Sequence, residues 1–321
     1  MNAILTGILY GINSVINNYG VSMIIFTLFV KLLMLPLDYK SRKGMRKTQL
    51  IQPEMMRLQK KYANDKEKLN QKMAELYRKE GVNPMSGCLP MIASMVVLWF
   101  MWGAMRTVAN TELAKQCIEL LTTGTAEFES FLWIKNIWMP DSPFTPVIAN
   151  QSNLMMVTPE IWQKVFAALD AAQLEKLAAI GIDAATISSE TVSTALQALP
   201  IYAEQTQLWP FMPRVNLLIT QLTIYANNNG WFVLPILSAV TQYMMTLSQP
   251  QQAAANGQNG TGQFMKYFFP LFSLWICSSY NALFALYWVV SNLFAWIQSL
   301  ILNKVFENME KKGSNKEENL K

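Results

Sequence analysis

The sequence predicts an all-α membrane protein of five transmembrane helices, N-terminus outside and C-terminus in the cytoplasm. A cytoplasmic helical hairpin and an inserted extracytoplasmic α-helical subdomain complete the expected architecture. Three observations carry it. Of 321 residues 52% are hydrophobic and 15% charged, and the two classes are segregated. Residues 1–30 hold no charged side chain, whereas residues 38–85 hold thirteen of the 26 Lys and Arg. Five apolar stretches approach or reach the roughly 20 residues that a helical crossing takes, and hydrocarbon excludes charge while aqueous loops require it.

Residues 1–18 place Leu5, Ile8, Leu9, Ile12 and Ile16 at helical spacing with Asn and Ser between them. This pattern predicts an extracytoplasmic amphipathic helix lying at the interface; an extension of the first span is the other reading. The segment has neither a positive n-region nor a small-residue cleavage site, so it is expected to belong to the mature chain. The spans fall at 19–37, 87–106, 231–248, 267–281 and 282–302. The third and fourth are short and carry Pro235 and Pro270 near one end. Residues 267–302 as one helix would run about 54 Å, too long for a single crossing, so two crossings joined at Ser279-Tyr280-Asn281 are expected.

Orientation follows from the basic residues. With the N-terminus outside, nineteen Lys and Arg fall in the cytoplasmic segments 38–85, 249–266 and 303–321, against five in the outer segments. Residues 38–85 are expected to form helices over 40–61 and 66–80 with a turn at Ala63-Asn64-Asp65. Leu50, Pro53, Met56 and Leu58 would face Leu69, Met73, Leu76 and Tyr77. The outer loop 107–230 carries a net charge of −6. Its residues 159–205 contain short amphipathic helical stretches, and a helical insertion over 139–229 is expected. The loop 249–266 is Gly- and Gln-rich and reads as flexible, and the mixed-sign end of the tail, 311–321, as disordered.

Metal chemistry is not expected: there is no His, and Cys88, Cys117 and Cys277 stand singly, without the CxxC or Cys/His spacing that holds zinc or an iron–sulfur cluster. No cofactor and no disulfide are expected, and Cys88 and Cys277 read as small buried hydrophobes. The notable polar residue is Lys31, a full charge inside the first span. It could snorkel to the headgroups or face a water-filled cavity between helices. Thr27 lies four residues earlier on the same helical face. Ser94, Thr241, Gln242, Ser273, Ser291 and Asn292 add hydrogen-bonding groups within other spans. Gln242 and Asn292 are expected to look inward, because a carboxamide facing lipid leaves donors unsatisfied.

The string NYGVSMIIFTLFVKLLMLPL resembles the first core span of the YidC family of membrane-protein insertases, with its aromatic-Gly pair, positive residue and Pro-Leu. QLIQPEMMRLQKKYANDKEKLNQKMAELYRKEGVNPMSGCLPM is similar to that family's cytoplasmic hairpin and its Asn-Pro…Gly-Cys exit. FLWIKNI, WFVLPILSAVTQYMM and LFALYWVVSNLFAWIQ resemble its later core segments. The resemblance implies a bundle around a hydrophilic groove, open to cytoplasm and lipid and closed toward the outside. It implies an insertase and chaperone of the bacterial cell membrane, multi-pass and not an enzyme. Implied groove residues are Lys31, Thr27, Gln242, Trp288 and Asn292. Arg42, Lys43, Arg46, Lys47, Lys60 and Lys61 of the hairpin would receive substrate or ribosome.

The partners so implied are the lipid bilayer and nascent membrane proteins with short translocated segments, with ribosome and Sec translocon as further candidates. No specific nucleic-acid sequence recognition is expected. Two departures stand out: the family's usual groove charge is an arginine, where this chain has Lys31, and residues 139–229 have no counterpart in compact members. The alternative function is a small-solute transporter or channel with Lys31 as an anion site, although no internal repeat of the kind transporters show is found.

Overall fold

A computed structural model of the chain describes residues 2–81, 89–125, 127–217, 221–248 and 259–318. Among these residues the chain forms thirteen helices and one two-stranded sheet. In order, α1 spans Asn2–Ile16, α2 Tyr19–Leu50, α3 Gln52–Lys61, α4 Lys66–Lys79 and α5 Leu89–Thr123. Five short helices follow: α6 Gln151–Leu154, α7 Pro159–Phe166, α8 Ala171–Ala179, α9 Ser189–Gln197 and α10 Pro200–Gln205. Strands β1 Arg214–Asn216 and β2 Gln221–Thr223 then precede α11 Val233–Ser248, α12 Asn259–Ser279 and α13 Ala282–Glu318.

Among the described residues two helices, over Tyr19–Leu50 and Ala282–Lys312, are long and apolar enough to cross a membrane, each with an 18-residue stretch whose mean hydropathy is 2.1 and 1.5 respectively. The α2 helix continues past Pro36 and through the charged residues 38–50. A proline costs an interior helix one backbone bond, and the Lys-, Arg- and Leu-rich sequence after it has good helix propensity, so the chain resumes without a break. The hydrophobic helix and the start of the hairpin are therefore one rod. Between α12 and α13 the chain breaks at Tyr280-Asn281, where the Asn281 side chain accepts from the Phe284 backbone N–H and caps the new helix.

The chain divides into two compact units. The first comprises Met1–Phe26, Phe100–Leu237 and Leu274–Trp288. Its centre is not a helix pair but an irregular buried stretch, Asn136–Asp141. The Asn136 amide donates to Gln116 Oε1 (2.8 Å) and to the Val147 carbonyl (2.9 Å). Asn229 accepts from the Asn136 backbone N–H (2.7 Å) and donates to the carbonyls of Asn136, Met139 and Pro140. Asp141 accepts from the backbone N–H groups of Trp231 (2.9 Å) and Leu234 (2.7 Å) and from the Trp133 indole (3.2 Å). The first N–H groups of α13, at Ala282 and Leu283, donate to the Met139 and Ile137 carbonyls. Helix starts leave such donors without intrahelical partners, and this one stretch supplies acceptors for both α11 and α13.

Two glycines are fixed by this packing. The Phe131 ring lies where a Cβ on Gly20 would stand, and Asp141 Oδ1 lies where a Cβ on Gly230 would stand. The aromatic-Gly pair at the start of α2 thus has a steric cause, with Tyr19 packing edge-on to Trp138 at 4.7 Å. Cys117 is buried in α5, and burial pushes its thiol up to about 12. Cys277 is also buried. Cys88 lies outside the described residues.

The inserted region differs from the expected one in two ways. It contains the short ribbon β1–β2 as well as helices. The unit of short helices runs from the Asn150 cap to Thr206, because residues 139–149 and 225–229 belong to the buried stretch and its surroundings. Asn150, Asp170 and Ser188 each form a capping box, and a core of Leu154, Trp162, Leu177, Val192 and Leu196 joins the helices. The unit leaves and rejoins the chain at one place: the Val147 N–H donates to the Asn227 carbonyl, and the Ala226 N–H to that of Gln207. Replacement of residues 150–206 by a short Gly-Ser linker is therefore expected to leave a protein that folds and elutes as a single species. Replacement of the whole of 139–229 removes Asp141 and Asn229 and is expected to abolish accumulation of the folded protein. Membrane-fraction yield and size-exclusion profiles of the two deletions check this.

The second unit comprises Thr27–Trp99, Ser238–Ser273 and Val289–Lys321. Its hairpin packs Ile51, Met55 and Leu58 of α3 and the residue before it against Met73, Leu76 and Tyr77 of α4. The stripe expected from sequence is out of phase: Leu50 and Met56 are exposed, and the 51/55/58 spacing is the one that faces α4. Asp65 caps α4 by accepting from the Lys68 N–H. Residues 249–258 of the loop expected to be flexible lie outside the described residues, and 259–266 are helical. The tail is not disordered throughout, since α13 continues to Glu318.

Candidate intramembrane polar site

Along α2 the burial alternates by face. Val21, Ile25, Leu28, Phe29, Leu32 and Leu33 are exposed, while Ser22, Met23, Phe26 and Thr27 are buried. Lys31 is half-buried and follows buried Thr27 by one turn, while Leu28 and Leu35, three residues before it and four after it, are exposed, so it stands at the edge of the buried face. Asp38, two turns further, is close enough to act electrostatically on Lys31 and on Arg42.

The other polar residues of the second unit's apolar helices are also inside. On α11, Ser238, Thr241 and Gln242 are buried, as are Ser273 on α12 and Ser291 and Asn292 on α13. Ser273 Oγ donates to Ser238 Oγ at 3.1 Å, and Thr241 donates to the Ser238 carbonyl at 3.2 Å. These hydroxyls satisfy each other and their own backbones, as Ser and Thr in helices do. Asn292 differs: its Nδ2, like Ser291 Oγ, is buried with no hydrogen-bond partner among the described residues. Trp288 belongs to the first unit, its ring 5.6 Å from that of Phe284, and its Nε1 is likewise buried and without such a partner. On α13, positions 288, 291 and 292 share one helical face.

A second polar group occupies the part of α2 beyond Pro36. Arg42 Nη1 donates to Ser299 Oγ at 2.7 Å, and Ser299 in turn donates to the Ser248 carbonyl at 2.7 Å. Gln298 Nε2 donates to Asp38 Oδ2 at 3.3 Å. Arg46 forms a two-pronged pair with Glu310 at 3.0 and 3.1 Å. Asp38, Arg42 and Arg46 recur every four residues, so they form one face, and that face meets α13. Of the basic residues expected to recruit partners, Arg42 and Arg46 are thus committed to internal contacts. Lys43, Lys47, Lys60 and Lys61 are exposed. Asp38, Gln298 and Ser299 were not among the residues that sequence reasoning singles out; the four-residue recurrence with Arg42 is the signal that could have found them.

Apolar helices with exposed hydrophobic faces and a buried polar interior define an α-helical membrane protein. The chain belongs to the 60Kd inner membrane protein family, whose model matches residues 11–311. It is 38% identical over 128 residues to the membrane protein insertase YidC of Clostridium perfringens, covering 39% of this chain and 47% of that protein. To the protein of the same name in Fusobacterium nucleatum it is 42% identical over 92 residues, covering 29% and 45%. To that of Anaeromyxobacter dehalogenans it is 34% identical over 154 residues, covering 47% and 26%. The matches thus span about half or less of these relatives' length.

Proposed function

We propose that this chain is a membrane-protein insertase of the bacterial cell membrane. It crosses the bilayer five times, with Lys31, Thr27, Gln242 and Asn292 lining a hydrophilic groove. The observation that carries this reading is that Lys31, a full charge in the apolar part of α2, is half-buried one turn after fully buried Thr27, whereas neighbouring Leu32 and Leu33 are exposed. Asn292 Nδ2 and Ser291 Oγ support it: buried donors without partners among the described residues call for water or a polar guest.

The device lowers a barrier rather than making a bond. Carrying an unpaired polar group through hydrocarbon costs several kcal/mol, and a wet cavity reaching partway across shortens the dry path. The polar N-terminal segment of a nascent protein enters the groove while its apolar helix slides along the lipid side. Exposed Lys43, Lys47, Lys60 and Lys61 offer the positive surface for nascent chain or ribosome, with the Sec translocon a further candidate partner. The test is reconstitution into liposomes with a small single-span substrate. Protection of that substrate's N-terminal segment from external protease is the expected result. Absence of protection, or ion flux without it, sinks the reading in favour of a transporter or channel.

The topology has its own check. In a protein with Cys88→Ser, where Cys117 and Cys277 are buried, a cysteine at exposed position 64 should react with a membrane-impermeant thiol reagent only after the cytoplasmic face is opened. Reaction from outside intact cells inverts the assignment.

A further inference from the structure

We infer that the β1–β2 ribbon and its flanks, residues 207–217 and 221–226, lie on the lipid surface as a hydrophobic interfacial anchor, at the outer end of α11. The occupant of this face is the outer leaflet of the bilayer. The placement on the outer side rests on the five-span topology proposed above; contact with lipid does not rest on insertase activity.

The first observation is composition. Residues 207–232, QLWPFMPRVNLLITQLTIYANNNGWF, contain one charged side chain, Arg214, and no acid. The helical unit just before them, 150–206, carries eight charged side chains, six of them acidic. The second is exposure. Phe211 is 90% exposed, and Leu208, Met212, Leu217 and Trp231 are exposed with it. No residue from 207 to 226 is fully buried among those described. A two-stranded ribbon without a core is marginal in water, and a contiguous apolar surface of this kind marks a contact with protein or lipid.

The third observation chooses lipid. Trp209 packs edge-on against Trp231 at 5.7 Å, and Trp231 stands two residues before α11 begins. The Trp209 N–H donates to the Ile224 carbonyl, and Leu208 bridges to Tyr225, so the ribbon is held at its base by the same aromatic that opens the apolar helix. Trp and Tyr at the end of a span sit at headgroup depth, and Arg214 on β1 is placed to meet phosphate while Phe211 and Met212 enter the acyl boundary. The depth is shallow. A ribbon has unpaired backbone groups along both edges, which hydrocarbon does not tolerate but the headgroup region does.

The experiment uses the full chain with its three cysteines replaced, reconstituted into vesicles of phosphatidylethanolamine and phosphatidylglycerol. An environment-sensitive fluorophore is attached through Phe211→Cys, and separately through Glu190→Cys on the exposed surface of α9 as an aqueous reference. The Phe211 probe should emit to the blue of the Glu190 probe. It should be quenched several-fold more by a nitroxide placed shallow on the acyl chain than by one near the chain end, and several-fold less by aqueous iodide than the reference. Equal iodide quenching at both positions overturns the inference. Protection from iodide without quenching by either nitroxide also overturns it, since the cover would then be protein, such as a second copy. A Met212→Cys probe repeats the measurement where the Phe211 variant fails to fold. Substrate protection measured on the same vesicles separates failure of the anchor from failure of the insertase reading.

Discussion

Asp141→Ala is expected to lower the stability of the first unit by about 3 to 5 kcal/mol, because a buried carboxylate bonded to two backbone N–H groups contributes roughly 1.5–3 kcal/mol through each. Those donors belong to Trp231 and Leu234 at the start of α11, so their loss leaves a helix end without acceptors in a buried place. A protein of this size should then melt in detergent on the order of 10 °C lower. Asp141→Asn keeps one acceptor oxygen but turns an NH₂ toward the second donor, and should fall between the two. Gly230→Ala should act through the same residue, since its Cβ would stand on Asp141 Oδ1. The double variant Asp141→Ala, Gly230→Ala should accordingly cost less than the two singles combined. Full additivity of the melting shifts would show that the alanine clashes with something other than the carboxylate.

The same residue shows where sequence reading stops. The start of α2 and the break at Tyr280-Asn281 are legible because charge-free runs and a length limit are properties of short, contiguous segments. Family membership is legible for the same reason, through ordered motifs. The stretch Asn136–Asp141 is not, because an Asn or Asp in an irregular segment reads as a turn residue in water until its partners ninety positions away are known. The hairpin fails by one step: its helices and turn are visible, but Leu50 and Ile51 are equally apolar, and only packing against Leu76 selects the second. The ribbon at 214–223 is missed because its residues lie in a loop already assigned to helices, and three-residue strands leave too short a period-two pattern to stand out. At the polar site, the residues within the spans are legible as misfits in hydrocarbon. Arg42 and Arg46 are not, since outside the apolar stretch a basic residue is ordinary and only the structure shows which of them face α13.

The charge of Lys31 should be required in kind rather than in detailed geometry, and its removal should have the largest effect on function. A charge within a span persists only where water or an opposite charge is at hand, and Asp38 supplies the nearest opposite charge on α2. Lys31→Arg should be tolerated, because the guanidinium keeps the charge and reaches a similar depth. Lys31→Ala should reduce insertion of a substrate with an acidic N-terminal segment on the order of tenfold, about 1.4 kcal/mol, and a neutralised version of that substrate much less. Lys31→Glu should be worst for the acidic substrate, since attraction becomes repulsion where screening is weaker than in bulk water. The double variant Thr27→Lys, Lys31→Thr should rescue in part: the two positions share one face of α2, but Thr27 is fully buried and lies one turn deeper. A lysine that merely snorkels predicts a different pattern, in which Lys31→Ala shifts stability alone and slows both substrates equally. Insertion of paired acidic and neutral versions of one substrate into liposomes distinguishes them, and equal loss on both removes Lys31 from the groove.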